Sequence, residues 1–424
     1  MVAFVLTSDK VLLVRGPMEV NTVRDASILG KDISDSKIFL DENRVWPIET
    51  GSSCEVVLSI PQKKPNGVKD IWISDRQNVG TKIWEEVVHT IFHGEVTLPN
   101  SIMIVGPTDS GKSSLSTYIV NQAIRAGLRP SVIDADIGQG DLAPPGVIGC
   151  GIVEKQILDL KEVSTKYFAF VGDINPTGYD RLISRSVRGL RNKIAMGKEN
   201  LSKIDLVVIN TDGFITGSGL LGKIAIVNNV RPDIIICLGE GTSDLCMLIK
   251  AGIQSEFVPS LLHASSPIST DPIIKLSKDR VRRRLDRFQN YLSKFGKYGK
   301  IRSIHLRKIK VVYKGVMYYK IVIHSKDYLI LVNRYGTKKL SLAYLFDMFV
   351  GLGKAYDIVG FGILSRITDQ KVEIRTNVSF FDTIHLSKIG IRTSTWSPYI
   401  IRRGNDERDT FASEQNSQPH TKSL

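Results

Sequence analysis

The run Gly106-Pro107-Thr108-Asp109-Ser110-Gly111-Lys112-Ser113-Ser114 fits the pattern G-x-x-x-x-G-K-[ST]. Before it stands the apolar run Ile102-Met103-Ile104-Val105. After it, Leu115, Ile119, Val120 and Ile124 recur at helical spacing up to Gly127, a residue suited to cap a helix. Strand, glycine loop and helix in this order restrict the fold more than any other feature of the chain. The glycines let the backbone turn closely around an anion, so that N–H groups and the helix N-terminus point at it. Residues 106–114 are therefore expected to cradle a nucleotide. Lys112 is placed to bridge its β- and γ-phosphates, and the Ser113 hydroxyl to complete a Mg²⁺ shell.

The stretch around this motif alternates strands and helices. Apolar runs at Ser131–Ile133, Tyr167–Val171, Leu206–Ile209 and Ile234–Leu238 are separated by helix-length amphipathic segments. Near-continuously apolar strands in repeated β–α units predict a mainly parallel sheet covered on both faces, with ligands beyond the strands' carboxyl ends. The loops after Asp136, Gly172 and Thr211 are expected to converge there with the P-loop. Flanking regions read differently. Residues 1–95 carry short apolar runs and no helical period before Trp84, and residues 301–403 hold further strand-like runs such as Tyr318–Ile323 and Tyr328–Val332. The expected fold class is α/β: a central P-loop NTPase domain, 96–300, between N- and C-terminal β-rich domains, with a polar, disordered tail over 404–424.

The chain has 424 residues and a net charge of +14. Thirteen Lys or Arg against two Asp fall between Ser277 and Lys310. A charge of this sign and clustering points to a polyanionic partner. Cys54, Cys150, Cys237 and Cys246 form no CxxC. Three of them sit in or beside apolar runs and are expected to be buried thiols, in a reducing compartment without zinc or a disulfide framework. No apolar run reaches about 18 residues and no secretory leader is recognisable, so a soluble protein with no membrane partner is expected.

A second constellation follows the second strand: Asp134-Ala135-Asp136-Ile137-Gly138-Gln139-Gly140-Asp141, then Pro144-Pro145-Gly146. Carboxylates at i and i+2 point the same way. One suits Mg²⁺ and the other proton acceptance from an attacking hydroxyl, with Asp136 the stronger candidate for chemistry.

GPTDSGKSSL followed by DADIGQGD and PPG resembles the polynucleotide 5′-hydroxyl kinase family, which includes archaeal enzymes and kinase subunits of eukaryotic RNA-processing complexes. The resemblance implies ATP as phosphate donor, Mg²⁺ held by Ser113, Asp134 and Asp136, and a 5′-hydroxyl end of RNA, or of DNA, as acceptor. It implies RNA-processing protein partners as well, with a cytoplasmic location for an archaeal member and a nuclear one for a eukaryotic member. Asn210-Thr211-Asp212-Gly213-Phe214 resembles the family's T-x-G-W clasp, with Phe214 where Trp is usual. Thr211, Gly213, Phe214 and Gln139 are then expected to touch the acceptor. Ser277–Phe288 resembles the family's arginine lid. In a helix, which is expected over 277–291, Arg280, Arg283, Arg284 and Arg287 share one face able to stabilise a transferring phosphoryl group. The rival from another class is a nucleotide-loaded scaffold that transfers nothing. A GTPase is disfavoured, because Asn192-Lys193-Ile194-Ala195 lacks the carboxylate of N-K-x-D.

Overall fold

Four five-residue strands in the middle of the chain are buried at every position: Ser101–Val105, Pro130–Asp134, Leu206–Asn210 and Ile234–Leu238. That is the burial expected where both faces of a sheet are covered. With Ser260–Ala264 they lie side by side in the order 260, 234, 101, 206, 130 by first residue. The Ser101–Val105 strand runs parallel to both of its neighbours, as does the 234/260 pair. The fold is the α/β P-loop class anticipated from the sequence.

The computed structural model describes residues 1–41, 44–59, 71–77, 79, 81–93, 100–196, 203–254, 256–266, 284–291, 299–324, 327–392, 394–395 and 397–401. The expected tail at 404–424 lies outside them, as do Arg280 and Arg283. Described residues fall into two compact units, one drawn from 1–133, 151–164 and 193–274, the other from 134–150, 165–192 and 275–424.

In the first unit the described N-terminal residues form, besides a two-stranded ribbon of Ser27–Ile28 with Lys31–Asp32, two small antiparallel sheets. One has four strands, in the order Val2–Thr7, Ser53–Ser59, Met18–Val23, Lys37–Leu40; the other has three, with Lys10–Arg15 between Val45–Ile48 and Ile71–Asp75. The first helix is Glu85–His93, where the sequence first shows a helical period. Trp84 just before it is buried and donates its indole N–H to the Ser265 carbonyl at 3.0 Å. The P-loop helix spans Lys112–Arg125 and ends as the sequence predicts. Gly127 takes φ +74°, and Leu128 N–H reaches back to the Ala123 carbonyl at 2.9 Å.

One expectation needs correction. Cys237 and Cys246 are joined in a disulfide. The turn between the Ile234–Leu238 strand and the Ser243–Ala251 helix brings their Cα atoms to 6.1 Å, within bridging range. Cys54 and Cys150 are buried thiols.

The second unit is strand-rich. Its main sheet runs Thr165–Phe170, Asp357–Ile367, Met348–Lys354, Thr383–Arg392, Lys310–Tyr313, Val316–Tyr318. Against it lies an aromatic core in which Phe349 packs on Phe361 (5.4 Å between ring centroids) and edge-on to Phe288 (5.5 Å). The apolar run Tyr318–Ile323 is broken at Tyr319, so it serves two strands, Val316–Tyr318 and Lys320–His324. Among the described residues no helix is long and apolar enough to cross a membrane.

Candidate active site

The P-loop has the backbone its glycines predict. Gly111, at φ +96°, caps the helix, and Asp109 also takes a left-handed φ of +62°. At Gly106 a Cβ would lie 2.2 Å from the Leu238 carbonyl oxygen, so only glycine lets the loop lie against that neighbouring strand end. Lys112 is buried, and its ammonium folds back onto the loop, donating to the Gly106 and Pro107 carbonyls at 2.9 and 2.6 Å. These bonds hold the cation at the mouth of the anion cradle.

The loop after the Leu206–Asn210 strand packs directly on the P-loop. A Cβ on Gly213 would come within 2.4–2.5 Å of Thr108 Oγ1, Cα and N. The space beside Gly213 is thus filled by the P-loop itself. Thr211 is buried and donates its hydroxyl to the Ile104 carbonyl at 2.8 Å. Asp212 pairs with the buried Lys223 ammonium at 2.7 Å and accepts the Phe214 N–H at 2.8 Å. Its carboxylate therefore shapes the loop. Phe214 is 38% exposed, with its backbone and ring against Gly219.

Two residues beside the P-loop carried no local signal in the sequence. Asn210 donates to Ser113 Oγ at 3.4 Å, and Arg44 to Ser114 Oγ at 3.0 Å. The Arg44 guanidinium lies 4.8 Å from the Trp46 ring centroid and also pairs with Asp159. Burial works to raise the Asp159 pKa, but Arg44, with Lys161 and its backbone amide, holds it below the usual carboxylate range. Arg44 is 70 positions from Ser114, beyond the reach of any periodicity argument.

In the second unit the DADIGQGD loop is organised by its own carboxylates. Asp134 is 1% exposed and accepts from the amides of Asp136, Asp141 and Leu142. Asp136 Oδ1 accepts from Gly138 N–H at 2.9 Å and Gln139 N–H at 2.7 Å. Gly140 sits where a Cβ would meet the Asp136 carbonyl oxygen at 2.5 Å.

A helix over 284–291, the described end of the arginine-rich stretch, is fastened to this loop. Arg287 donates to the Gln139 carbonyl at 2.8 Å and pairs with Asp141, while the Tyr291 hydroxyl donates to the Leu142 carbonyl at 2.8 Å. Phe288 on the same helix is fully buried. Arg284, the first described residue of this stretch, is half-buried. Arg287 is expected to share a helix face able to stabilise a transferring phosphoryl group; in the structure its guanidinium holds the loop that carries Asp136 and Gln139.

Hard oxygen donors suit Mg²⁺. Of the three expected, the Ser113 hydroxyl and Asp136 fit this requirement. The Asp134 carboxylate is already surrounded by three amides.

Residues 106–294 match the family model described as mRNA cleavage and polyadenylation factor CLP1 P-loop. A polyribonucleotide 5′-hydroxyl-kinase of Pyrococcus horikoshii is 32% identical over 152 residues, which are 36% of this chain and 40% of its own. One of Thermococcus kodakarensis is 33% identical over 153 residues, 36% of this chain and 41% of its own. A CLP1 homolog of Anopheles gambiae is 32% identical over 166 residues, 37% and 39% of the two chains. The chain thus spans about two fifths of the length of the curated relatives it matches. Two solved structures of Clp1p with Pcf11p share the fold, with TM-scores of 0.65 and 0.64 at 13% and 12% identity. They cover 92% of this chain and 98% and 97% of theirs.

Proposed function

We propose, on the premise that residues 106–294 belong to the CLP1 P-loop family, that the chain is an ATP-dependent polynucleotide 5′-hydroxyl kinase acting on RNA. The observation that carries this reading is that the chain holds both an intact P-loop, in its first unit, and a carboxylate loop, in its second. Lys112 is buried at the mouth of the first, and Asp136 is held by two amides in the second. A chain that only stored nucleotide need not keep a carboxylate poised for chemistry in the latter.

In this reading residues 106–114 bind the ATP phosphates through backbone amides, and the Lys112 ammonium exchanges the Gly106 and Pro107 carbonyls for phosphate oxygens. Ser113 and Asp136 would hold Mg²⁺, which when bound neutralises charge on the triphosphate. Asp136 accepts the proton of the 5′-hydroxyl as its oxygen bonds to the γ-phosphorus; the bond to the bridging oxygen breaks and ADP leaves. Asp134 organises the loop beneath Asp136. Thr211 and Gly213 position Phe214, whose exposed edge offers a surface for a terminal base, and Gln139 contacts the acceptor beside Asp136. Arg280, Arg283 and Arg284 supply positive charge over the γ-phosphate, whereas Arg287 positions the loop. Relatives that carry the name of CLP1, and Clp1p structures with Pcf11p, support a setting among RNA-processing proteins.

The test is transfer of labelled γ-phosphate from ATP to a short 5′-hydroxyl RNA, with the matching DNA and a 5′-phosphorylated RNA alongside. Label on the 5′-hydroxyl strands alone is expected, and loss of that label in Lys112→Ala and Asp136→Asn. ATP bound tightly with no strand labelled would discard the kinase in favour of a nucleotide-loaded subunit.

A further inference from the structure

The second unit carries a three-stranded antiparallel sheet, Lys320–His324, Tyr328–Asn333 and Gly336–Ser341, whose two faces differ sharply. Register pairs Ile323 with Leu329 and Leu329 with Leu340, and Ile321 with Leu331, so these side chains share one face. Leu329, Leu331 and Leu340 are buried there and belong to the core. On the other face stand Lys320, Val322 and His324 from the first strand, Tyr328 and Ile330 from the second, and Lys339 from the third. None of these six is buried, and Val322 is 39% exposed.

Charge on and around this face is one-sided. Lys320 and Lys339 on the face and Arg334 at the hairpin tip stand against a single acid, Asp327, between residues 319 and 341 of the described chain, while Lys338 pairs with Leu331 and lies on the core-facing side. The cations are also interleaved with rings. Lys339 Nζ lies 3.6 Å from the Tyr328 ring centroid, and at the hairpin tip the Arg334 guanidinium lies 4.6 Å from that of Tyr335, which is 79% exposed. Tyr319, next to Lys320, is 64% exposed. A charge run that merely solvates a surface has no need of exposed rings and apolar side chains between its cations. Alternation of ammonium and ring matches the alternation of phosphate and base along a single strand, where each ring offers a stacking surface and each cation a phosphate partner.

We infer that this open face binds single-stranded nucleic acid, as a site separate from the P-loop and its neighbouring loops. The inference rests on the kinase reading only for its biological sense: the face would hold the body of a strand whose 5′ end is the acceptor. Its affinity is carried by charge and stacking and is not specific for sequence.

The experiment is fluorescence anisotropy of the full chain with a 3′-fluorescein oligouridine bearing a 5′-phosphate, which accepts no phosphoryl group, across a range of salt. Lys320→Glu with Lys339→Glu is expected to weaken binding roughly tenfold and to flatten the salt dependence by about 1.4 in slope, at about 0.7 for each phosphate no longer neutralised. Lys320→Arg with Lys339→Arg keeps the charge and is expected to bind as the unmodified chain does. Unchanged affinity and slope in the charge-reversed chain would overturn the inference. So would a polyglutamate that displaces the strand at equal concentration, since the face would then select charge alone. Phosphate transfer is scored separately. A chain that binds strands through this face and labels none would remove the kinase reading and leave this one standing.

Discussion

Gly213 shows how narrowly single positions are constrained around the P-loop. With Thr108 atoms within 2.4–2.5 Å of where its Cβ would be, an added methyl must displace the phosphate-binding backbone. Overpacking of this kind costs about 1–3 kcal/mol. Gly213→Ala is expected to weaken ATP binding about tenfold or more, read by isothermal titration; an unaltered Kd would show that the P-loop is not braced from this side. Lys223 and Asp212 pose the opposite problem, a cation and an anion enclosed together, with side chains 3% and 14% exposed. Removing one partner strands the other. Lys223→Met is expected to lower stability to denaturant by about 3–5 kcal/mol, and Lys223→Met with Asp212→Asn to recover most of it. If the double variant is as unstable as the single, the loss comes from packing and not from the abandoned carboxylate.

Among elements, the helical residues 284–291 bear on the candidate site, because Arg287 holds the Asp136 loop by two bonds, to the Gln139 carbonyl and to Asp141. Arg287→Ala is expected to lower kcat about tenfold while leaving the KM for ATP within about twofold, since only the loop's position changes. Arg287→Lys should recover little, a single point charge being unable to replace the fork. A rise in ATP KM with kcat untouched would assign Arg287 to the nucleotide instead. The Thr383–Arg392 strand holds a second testable group, His385. It is 4% exposed, donates from Nε2 to the Ala355 carbonyl at 2.9 Å, and burial depresses its pKa to about 4. The folded chain keeps this ring neutral where the unfolded chain, near pH 6.5, takes up a proton. Stability from this group is therefore complete above about pH 6.5 and is lost as pH falls toward about 4, on the order of 3 kcal/mol in all. His385→Gln is expected to flatten the fall of Tm across that interval; a slope identical to that of the unmodified chain would mean other groups cause it.

At the level of the whole molecule, what the sequence disclosed and what it withheld divide by distance along the chain. The P-loop, its buried strand, the helix to Arg125 and the glycine cap at 127 were legible because each is written in a few neighbouring residues. Arg44 on Ser114, Arg287 on Asp141 and the Cys237–Cys246 bridge were not, since no local pattern states which distant residues meet. The arginine stretch was legible as charge, but the partner of Arg287 was not. The chain passes between its two units five times, each unit being gathered from three segments. Residues 1–274 alone would retain Phe170 but lose Phe349 and Phe361, the rings it packs on. Such a piece is expected to keep the P-loop strands folded but to bind a hydrophobic dye where Phe170 is uncovered; a melt with no dye binding would contradict this assignment of the core. The long tie between Asp141 and Arg287 also orders events in time. On the ribosome the P-loop strand and all four strands beside it emerge by residue 264, whereas the Asp136 loop waits for residues 284–291 before its clamp exists. A nascent chain can therefore fold a place for nucleotide well before it can set the carboxylate that would use one.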